Sequence, residues 1–155
     1  NTNEKLPFYR EKLLDYVKNG GTLIVQYNTS YGVSTDAIGP YPMQLSRERV
    51  TVQQAPVRIL SPGHPVMNTP NKITEEDFSN WVQERGLYFA GEWNENLVPI
   101  LSSNDPGEPA REGGLLVGKY GEGYFIYTGY SWFRQLPAGV PGAYRIFTNL
   151  ISLGK

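Results

Sequence analysis

The chain contains no cysteine and only one histidine, His64, among its 155 residues. Without cysteine there can be no disulfide, no cysteine nucleophile and no thiolate ligand for a metal. One histidine cannot form a usual zinc site, and carboxylates alone would favour calcium or magnesium, for which the sequence has no loop of the DxDxDG type. We therefore expect no metal and no cofactor, whereas the lack of cysteine leaves the cellular compartment open.

An excess of charge of one sign and long apolar runs are also lacking. The chain has 14 Lys and Arg against 15 Asp and Glu, a net charge of −1, and no block of like charges. Nucleic acid and anionic membrane surfaces are therefore not expected as partners. The longest uncharged apolar run lies around Leu23 to Val25. It is far shorter than the roughly 18 residues that a membrane-spanning helix needs.

The chain does have alternating helical and extended patterns, which predict one α/β domain over residues 1–155. Residues 7–18 read as a helix that begins with Pro7 and ends at a Gly pair. The apolar run TLIVQY, residues 22–27, follows at once and indicates a strand covered on both faces. A helix, a tight turn and a buried strand together predict a three-layer, doubly wound and mostly parallel sheet.

The second half of the chain gives clearer local signals. Residues 115–128 contain two β-rich runs joined by a Gly-Glu-Gly turn, which predicts an antiparallel C-terminal hairpin. A last helix is predicted over residues 141–153, with one apolar face formed by Tyr144, Phe147, Leu150 and Ile151. Shorter strands are predicted for residues 57–60, 87–89 and 98–103. Residues 28–56 have no clear period and read as a long excursion from the carboxyl end of the first strand, a common place for function.

One candidate ligand site lies in the segment WVQERGLYF, residues 81–89. Residues 74–85 predict a helix, in which Trp81, Glu84 and Arg85 share one side because they are three and four positions apart. A ring beside a carboxylate and a guanidinium suits a stacked, hydrogen-bonded sugar. The same trio equally suits a buried ion pair under a Trp that holds the helix to the sheet.

A second candidate ligand site lies in SWFRQLPAGVPGAYR, residues 131–145. The preceding strand delivers this segment to the sheet edge where ligands of α/β folds bind. Its amphipathic side chains suit a polyhydroxylated ligand. The candidates are Trp132, Arg134 and Gln135, together with Tyr130, which immediately precedes the segment. The alternative is that Trp132 and Phe133 only fill the core.

Catalytic candidates are few. His64 could act as a general base in the turn SPGHP, with Ser61 or a nearby carboxylate as its partner, and Glu84 is the other catalytic candidate. The alternative is that proline and glycine shape this turn while the imidazole bonds to the backbone.

Four segments resemble one known family. LLDYVKNGGTLIVQYNT, IGPYPMQLSRERVT, HPVMNTPNKITEEDFSNWVQERGLYF and YGEGYFIYTGYSWFRQLPAGVPGAYRIFTNLISL resemble the C-terminal domain of large bacterial LmbE-like proteins of the PIG-L deacetylase family. The resemblance covers nearly the whole chain. It implies a flavodoxin-like fold of the class I glutamine amidotransferase type, similar to the ThuA-like group. It also implies an N-terminal zinc-dependent deacetylase domain that acts on N-acetylglucosaminyl groups, strands that precede Asn1, and an exported or periplasmic setting.

Two departures from that family's patterns bear on activity. The deacetylase zinc motif has His-Pro followed by two aspartates, whereas His64 and Pro65 are followed by Val66 and Met67. Glutaminase activity needs a cysteine nucleophile, which is absent. We therefore expect a non-catalytic accessory or carbohydrate-binding domain, with a carbohydrate and the deacetylase domain as partners. Alternatives are a cysteine-independent ThuA-like hydrolase that modifies sugars through His64 and Glu84, or a structural interdomain or dimerisation module.

Overall fold

The computed structural model describes residues 4–31 and 38–155, which form a mixed α/β structure. Its α-helices are α1 (Leu6–Lys18), α2 (Trp132–Gln135) and α3 (Pro141–Ser152). Its strands are β1 (Thr22–Gln26), β2 (Met43–Leu45), β3 (Arg49–Val50), β4 (Val57–Ile59), β5 (Gly86–Leu87), β6 (Ala90–Trp93), β7 (Val98–Pro99), β8 (Leu101–Ser103), β9 (Leu115–Tyr120) and β10 (Gly123–Thr128). Two 3₁₀ turns cover Pro65–Met67 and Glu75–Phe78. None of the helices in the described ranges is long and apolar enough to cross a bilayer.

The central sheet has four strands in the order β1-β10-β9-β7. Strands β1 and β10 run parallel, whereas β10 with β9 and β9 with β7 are antiparallel. The predicted C-terminal hairpin is confirmed, with Gly121 in its turn at a φ of 60° that favours glycine. Over the described strands the sheet is therefore mixed rather than mostly parallel, because the tight turn between β9 and β10 reverses the chain direction.

Alternate residues of the hairpin supply two separate cores, one on each face of the sheet. Ile126 belongs to the core that α3 covers, which also contains Ile146 and Leu150. Phe125 and Tyr127 belong to the opposite core, which contains residues of the small β2-β6 sheet. Strand β1, for which two covered faces are predicted, contacts both cores, through Ile24 on one face and Leu23 and Val25 on the other. These side chains are only half-buried because β1 lies at an edge of the described sheet.

The predicted helix over residues 74–85 is wrong beyond its first turn. Thr74 and Asp77 form a capping box around Glu75–Phe78, and the chain then becomes irregular. Asn80 and Gln83 have φ values of 60° and 64°, in the left-handed region that a right-handed helix excludes. Tertiary contacts are the reason, because hydrogen bonds from distant parts of the chain replace those of a helix in this stretch.

Two other predictions need correction. Residues 98–103 are divided between β7 and β8, which belong to different sheets. In α3, Leu150 is buried as predicted, but Tyr144 and Ile151 are exposed. The buried face is instead centred on Ala143, Ile146 and Leu150, since α3 also buries the polar Asn149 against the rest of the chain.

Candidate functional site

Three of the four candidates from the aromatic segment are part of the core. Tyr130, Trp132 and Gln135 are fully or almost fully buried. The Trp132 indole N–H donates to Thr128 Oγ1 at 2.8 Å, and the Tyr130 hydroxyl lies 3.1 Å from Ser103 Oγ. Burial raises the pKa of Tyr130 to about 12, so this phenol is neutral at physiological pH. These side chains have no free surface with which to contact a ligand in this conformation.

Gln135 explains the irregular chain around Val82. Its Oε1 accepts from the Val82 N–H at 2.8 Å, and its Nε2 donates to the Val82 carbonyl at 2.9 Å. The side chain thus satisfies both backbone groups of a residue that would otherwise bond within a helix. Residues 79–85 are held to α2 in this way.

The remaining predicted residues lie where residues 79–85 meet α2, but they do not line one pocket. They are Trp81, Glu84, Arg85 and Arg134. Glu84 Oε1 accepts from Arg134 Nε at 2.5 Å and from Ser131 Oγ at 3.2 Å. The Trp81 ring is buried, and its centroid lies 5.2 Å from that of Trp132. The predicted set is therefore one contiguous cluster, of which Trp81 and Arg85 line a cleft and Arg134 faces a shallow groove on another side.

His64 bonds to the backbone, which is the alternative to its catalytic interpretation. Its Nδ1 accepts from the Val66 N–H at 3.2 Å, at the start of the 3₁₀ turn Pro65–Met67. Burial lowers the pKa of His64 and favours the neutral imidazole that can accept this bond. Within residues 4–31 and 38–155, no hydrogen bond or ion pair joins His64 to Glu84. The acid and base pair of the hydrolase interpretation is thus not in direct contact.

One cleft, here called the Arg85 cleft, has a volume of about 750 Å³. It lies between residues 53–58 and residues 75–85. Trp81 and Arg85 are the predicted site residues that line it, beside the amide side chains of Gln54 and Asn80. The Trp81 face is covered by the Arg85 guanidinium, whose carbon lies 5.5 Å from the ring centroid. Stacking of a sugar on Trp81 is therefore blocked.

A second cleft of about 340 Å³, here called the tyrosine cleft, lies at the carboxyl end of the parallel pair β1 and β10. Its lining residues are Tyr27, Tyr31, Arg47, Arg49, Leu87 and Tyr88. Two backbone bonds fix this location, because the Tyr27 N–H donates to the Thr128 carbonyl and the Leu87 N–H donates to the Gly129 carbonyl. Ligands of open α/β sheets bind at this edge.

The tyrosine cleft contains strained aromatic residues. Tyr27 and Tyr88 have φ values of 28° and 54°, which cost roughly 1–3 kcal/mol each for side chains of this kind. Their ring centroids lie 5.5 Å apart, and Tyr127 donates from its hydroxyl to the Tyr88 carbonyl at 2.6 Å. Partial burial raises the pKa of Tyr88, as do the neighbouring phenols of Tyr31 and Tyr27. Backbone strain of this kind is concentrated at binding and catalytic sites.

Sequence reasoning missed these residues, although a signal was present. Tyr27 is the first residue after β1, and Tyr31 opens the long excursion that follows. The position of that excursion at a strand's carboxyl end was recognised, but its tyrosines were not singled out. Arg47 and Arg49 are brought to them by the pairing of β3 with β5, which no local pattern indicates.

Within the described residues, no group of three or more His, Asp or Glu side chains could hold a metal ion. No protein-family model matches the chain, and no curated protein matches it significantly. Solved structures with a similar fold include the following two proteins. A cytoplasmic protein, STM3548 from Salmonella typhimurium, is 23% identical over 91% of this chain, with a TM-score of 0.55. A β-galactosidase from Rahnella sp. R3 is 13% identical over 90% of this chain, with a TM-score of 0.50.

The chain spans only part of both structures, 58% of the Salmonella protein and 20% of the β-galactosidase. At these identities the likeness concerns the fold alone. Any activity must therefore be argued from the clefts themselves.

Proposed function

We propose that this chain is a non-catalytic α/β module that binds carbohydrate in the tyrosine cleft. The observation that carries the proposal is the grouping of three tyrosines and two arginines around an open cleft at the carboxyl end of β1 and β10. Tyrosine faces can stack on the C–H surface of a sugar ring. The phenols and guanidiniums can donate hydrogen bonds to its hydroxyl groups.

The dimensions and exposure of the cleft support this use. Its volume is at the low end of the about 300–1,000 Å³ of small-molecule sites, which suits one or two sugar rings. Tyr31 is 62% exposed and offers its ring directly to a ligand. Tyr88 is held by Tyr127, so part of the site is rigid before binding and little order is lost on association.

The lining of the tyrosine cleft favours binding over catalysis. Its described lining residues are four aromatic or aliphatic side chains and two arginines, with no carboxylate and no imidazole. Sugar hydrolysis uses a pair of carboxylates, and general acid and base catalysis needs a group that titrates near the working pH. The phenol of Tyr88 has a raised pKa and stays protonated.

Replacing Tyr31 by alanine is expected to weaken carbohydrate binding at least about tenfold, since about 1.4 kcal/mol of stacking and hydrogen bonding would be lost. A glycan array that includes N-acetylglucosamine oligomers identifies the ligand, and calorimetry then gives its Kd for each variant. Tyr16→Ala is the matched control because Tyr16 is similarly exposed but lies on α1. If the unaltered protein binds no glycan, or if Tyr31→Ala binds as well as Tyr16→Ala, the proposal fails.

We also propose a more specific fold class for this module and a neighbouring domain in the same protein. Strand β1 pairs only with β10 among the described strands, and its side chains are half-buried. Further parallel strands at its other edge would complete a three-layer, doubly wound sheet of the class I glutamine amidotransferase type. The four segments that resemble LmbE-like proteins support a setting beside an exported, zinc-dependent deacetylase domain.

The sequence and structure of the full gene product test both parts of this setting. We expect its sequence before Asn1 to contain His-Pro followed by two aspartates, and its structure to show a strand paired in parallel with β1. A protein without that zinc motif would contradict the deacetylase setting. A β1 edge that is unpaired in the full gene product would contradict the doubly wound sheet.

A further inference from the structure

We infer that the Arg85 cleft is a second binding site, which takes a ligand bearing a carboxylate. The inference starts from the hydrogen bonds of the Arg85 side chain, which is 5% exposed. Its Nε donates to the Ala55 carbonyl at 2.9 Å, and its Nη1 donates to the Phe78 carbonyl at 2.5 Å. Nη2 makes no hydrogen bond with any residue in the described ranges. A guanidinium has five N–H groups, so Arg85 retains unused donors.

The Arg85 charge also lacks a counter-charge. No carboxylate of the described chain lies within 4.0 Å of its guanidinium, whereas Arg111, Arg134 and Arg145 each form such a pair. A buried charge without a partner is costly, and burial lowers the pKa of Arg85 accordingly. The Trp81 ring offers a cation–π contact but no net negative charge. An anion bound in the cleft would supply what the protein itself does not.

The shape and charge of the Arg85 cleft favour a carboxylate as that anion. The charged side chains that line it are Arg58, Glu75 and Arg85, which leave one net positive charge. The N–H groups of the Arg85 guanidinium that bond to no described residue are both of those on Nη2 and one of the two on Nη1. Coplanar donors of this kind match the two oxygens of a carboxylate in a bidentate pair. At about 750 Å³, the cleft accommodates the body of the ligand as well.

This inference does not depend on the proposed carbohydrate site. The two clefts share no lining residue, so either site can be present without the other. The two sites are also distinguishable by which backbone amides respond to a ligand. A response at Asn80 and Val82 reports on the Arg85 cleft, and a response at Tyr31 and Tyr88 reports on the tyrosine cleft.

The test is a nuclear magnetic resonance titration of the ¹⁵N-labelled chain with sodium acetate and sodium glucuronate, against sodium chloride at equal ionic strength. We expect saturable shifts of the Arg85 Nε–H and of the amides of Asn80 and Val82 with both carboxylates, and none with chloride. Sodium sulfate distinguishes the shape of the anion and is expected to bind more weakly than acetate, because its oxygens are tetrahedrally arranged. No saturable shift, an equal response to chloride, or sulfate binding as tight as acetate would overturn the inference.

A matched pair of variants completes the test without altering Arg85. Gln54→Glu places a carboxylate in the cleft, where it should compete with the ligand and raise the Kd for acetate by about tenfold or more. Gln44→Glu makes the same charge change at an exposed position of β2 outside the cleft, and is expected to leave the Kd unchanged. Equal Kd values for the two variants would contradict the site, and thermal denaturation confirms that both are folded.

Discussion

Replacing Trp132 by alanine is expected to lower the free energy of unfolding by about 3–5 kcal/mol, a large share of the stability of an ordinary domain. The ring is fully buried and packs against the rings of Trp81, Tyr130 and Phe147. Its removal would leave a cavity at the junction of α2, α3 and residues 79–85. It would also remove one of the two N–H groups that donate to Thr128 Oγ1, which adds to the loss.

The neighbouring residue provides a matched control for Trp132→Ala. Phe133 is 45% exposed, and its main described contacts are with Tyr27 and Arg134. Phe133→Ala should therefore lower stability by less than about 1 kcal/mol. Urea denaturation followed by tryptophan fluorescence and circular dichroism measures both changes. If Trp132→Ala were no less stable than Phe133→Ala, the assignment of Trp132 to the core would be wrong.

Replacing Asn149 by alanine is expected to cost roughly 3 kcal/mol, although Asn149 lies on a helix and touches no ligand. Its side chain is fully buried and makes four hydrogen bonds to the loop before the capping box. Nδ2 donates to the carbonyls of Val66 and Asn71, and Oδ1 accepts from the backbone and side-chain N–H groups of Asn71. Alanine would leave three backbone groups of the loop without partners, at about 1–3 kcal/mol for each that stays buried.

The same denaturation experiment tests this second prediction. Asn96→Ala is the control, because Asn96 is exposed and its side chain bonds, among the described residues, only to its near neighbour Asn94. Its effect should stay within about 0.5 kcal/mol. Amide hydrogen exchange of Asn71 and Ile73 should also become faster in Asn149→Ala, since the loop loses its anchor to α3. Unchanged exchange together with unchanged stability would show that the four bonds contribute nothing.

Elements whose hydrogen bonds are local could be predicted from the sequence. The hairpin of β9 and β10 needs only its turn and its apolar runs, and α1 needs only its proline start and glycine stop. The stretch of residues 79–85 could not be predicted, because its backbone N–H groups bond to Gln135, Gln53 and Val50, which are distant in the sequence. These distant acceptors overrode a strong local helix pattern.

The candidate site shows the same division between local and distant information. Sequence reasoning singled out Trp81, Arg85 and Trp132, but it could not distinguish a buried cluster from an exposed pocket. The tyrosine cleft depends on β3 pairing with β5 and on β1 pairing with β10, which join residues far apart in the chain. Only the position of Tyr27 at the end of a strand could be predicted from the sequence.

The parallel pairing of β1 with β10 also dictates when the tyrosine cleft can exist during folding. Thr22 aligns with Tyr124, so this pair closes a loop on the order of a hundred residues, whereas the hairpin closes a turn of two. The cleft is anchored on Thr128 and Gly129 and therefore assembles only after this slow, long-range closure. A ligand in the cleft would contact Tyr27, which bonds to Thr128, and Leu87, which bonds to Gly129, so its binding energy would oppose the separation of β1 from the hairpin.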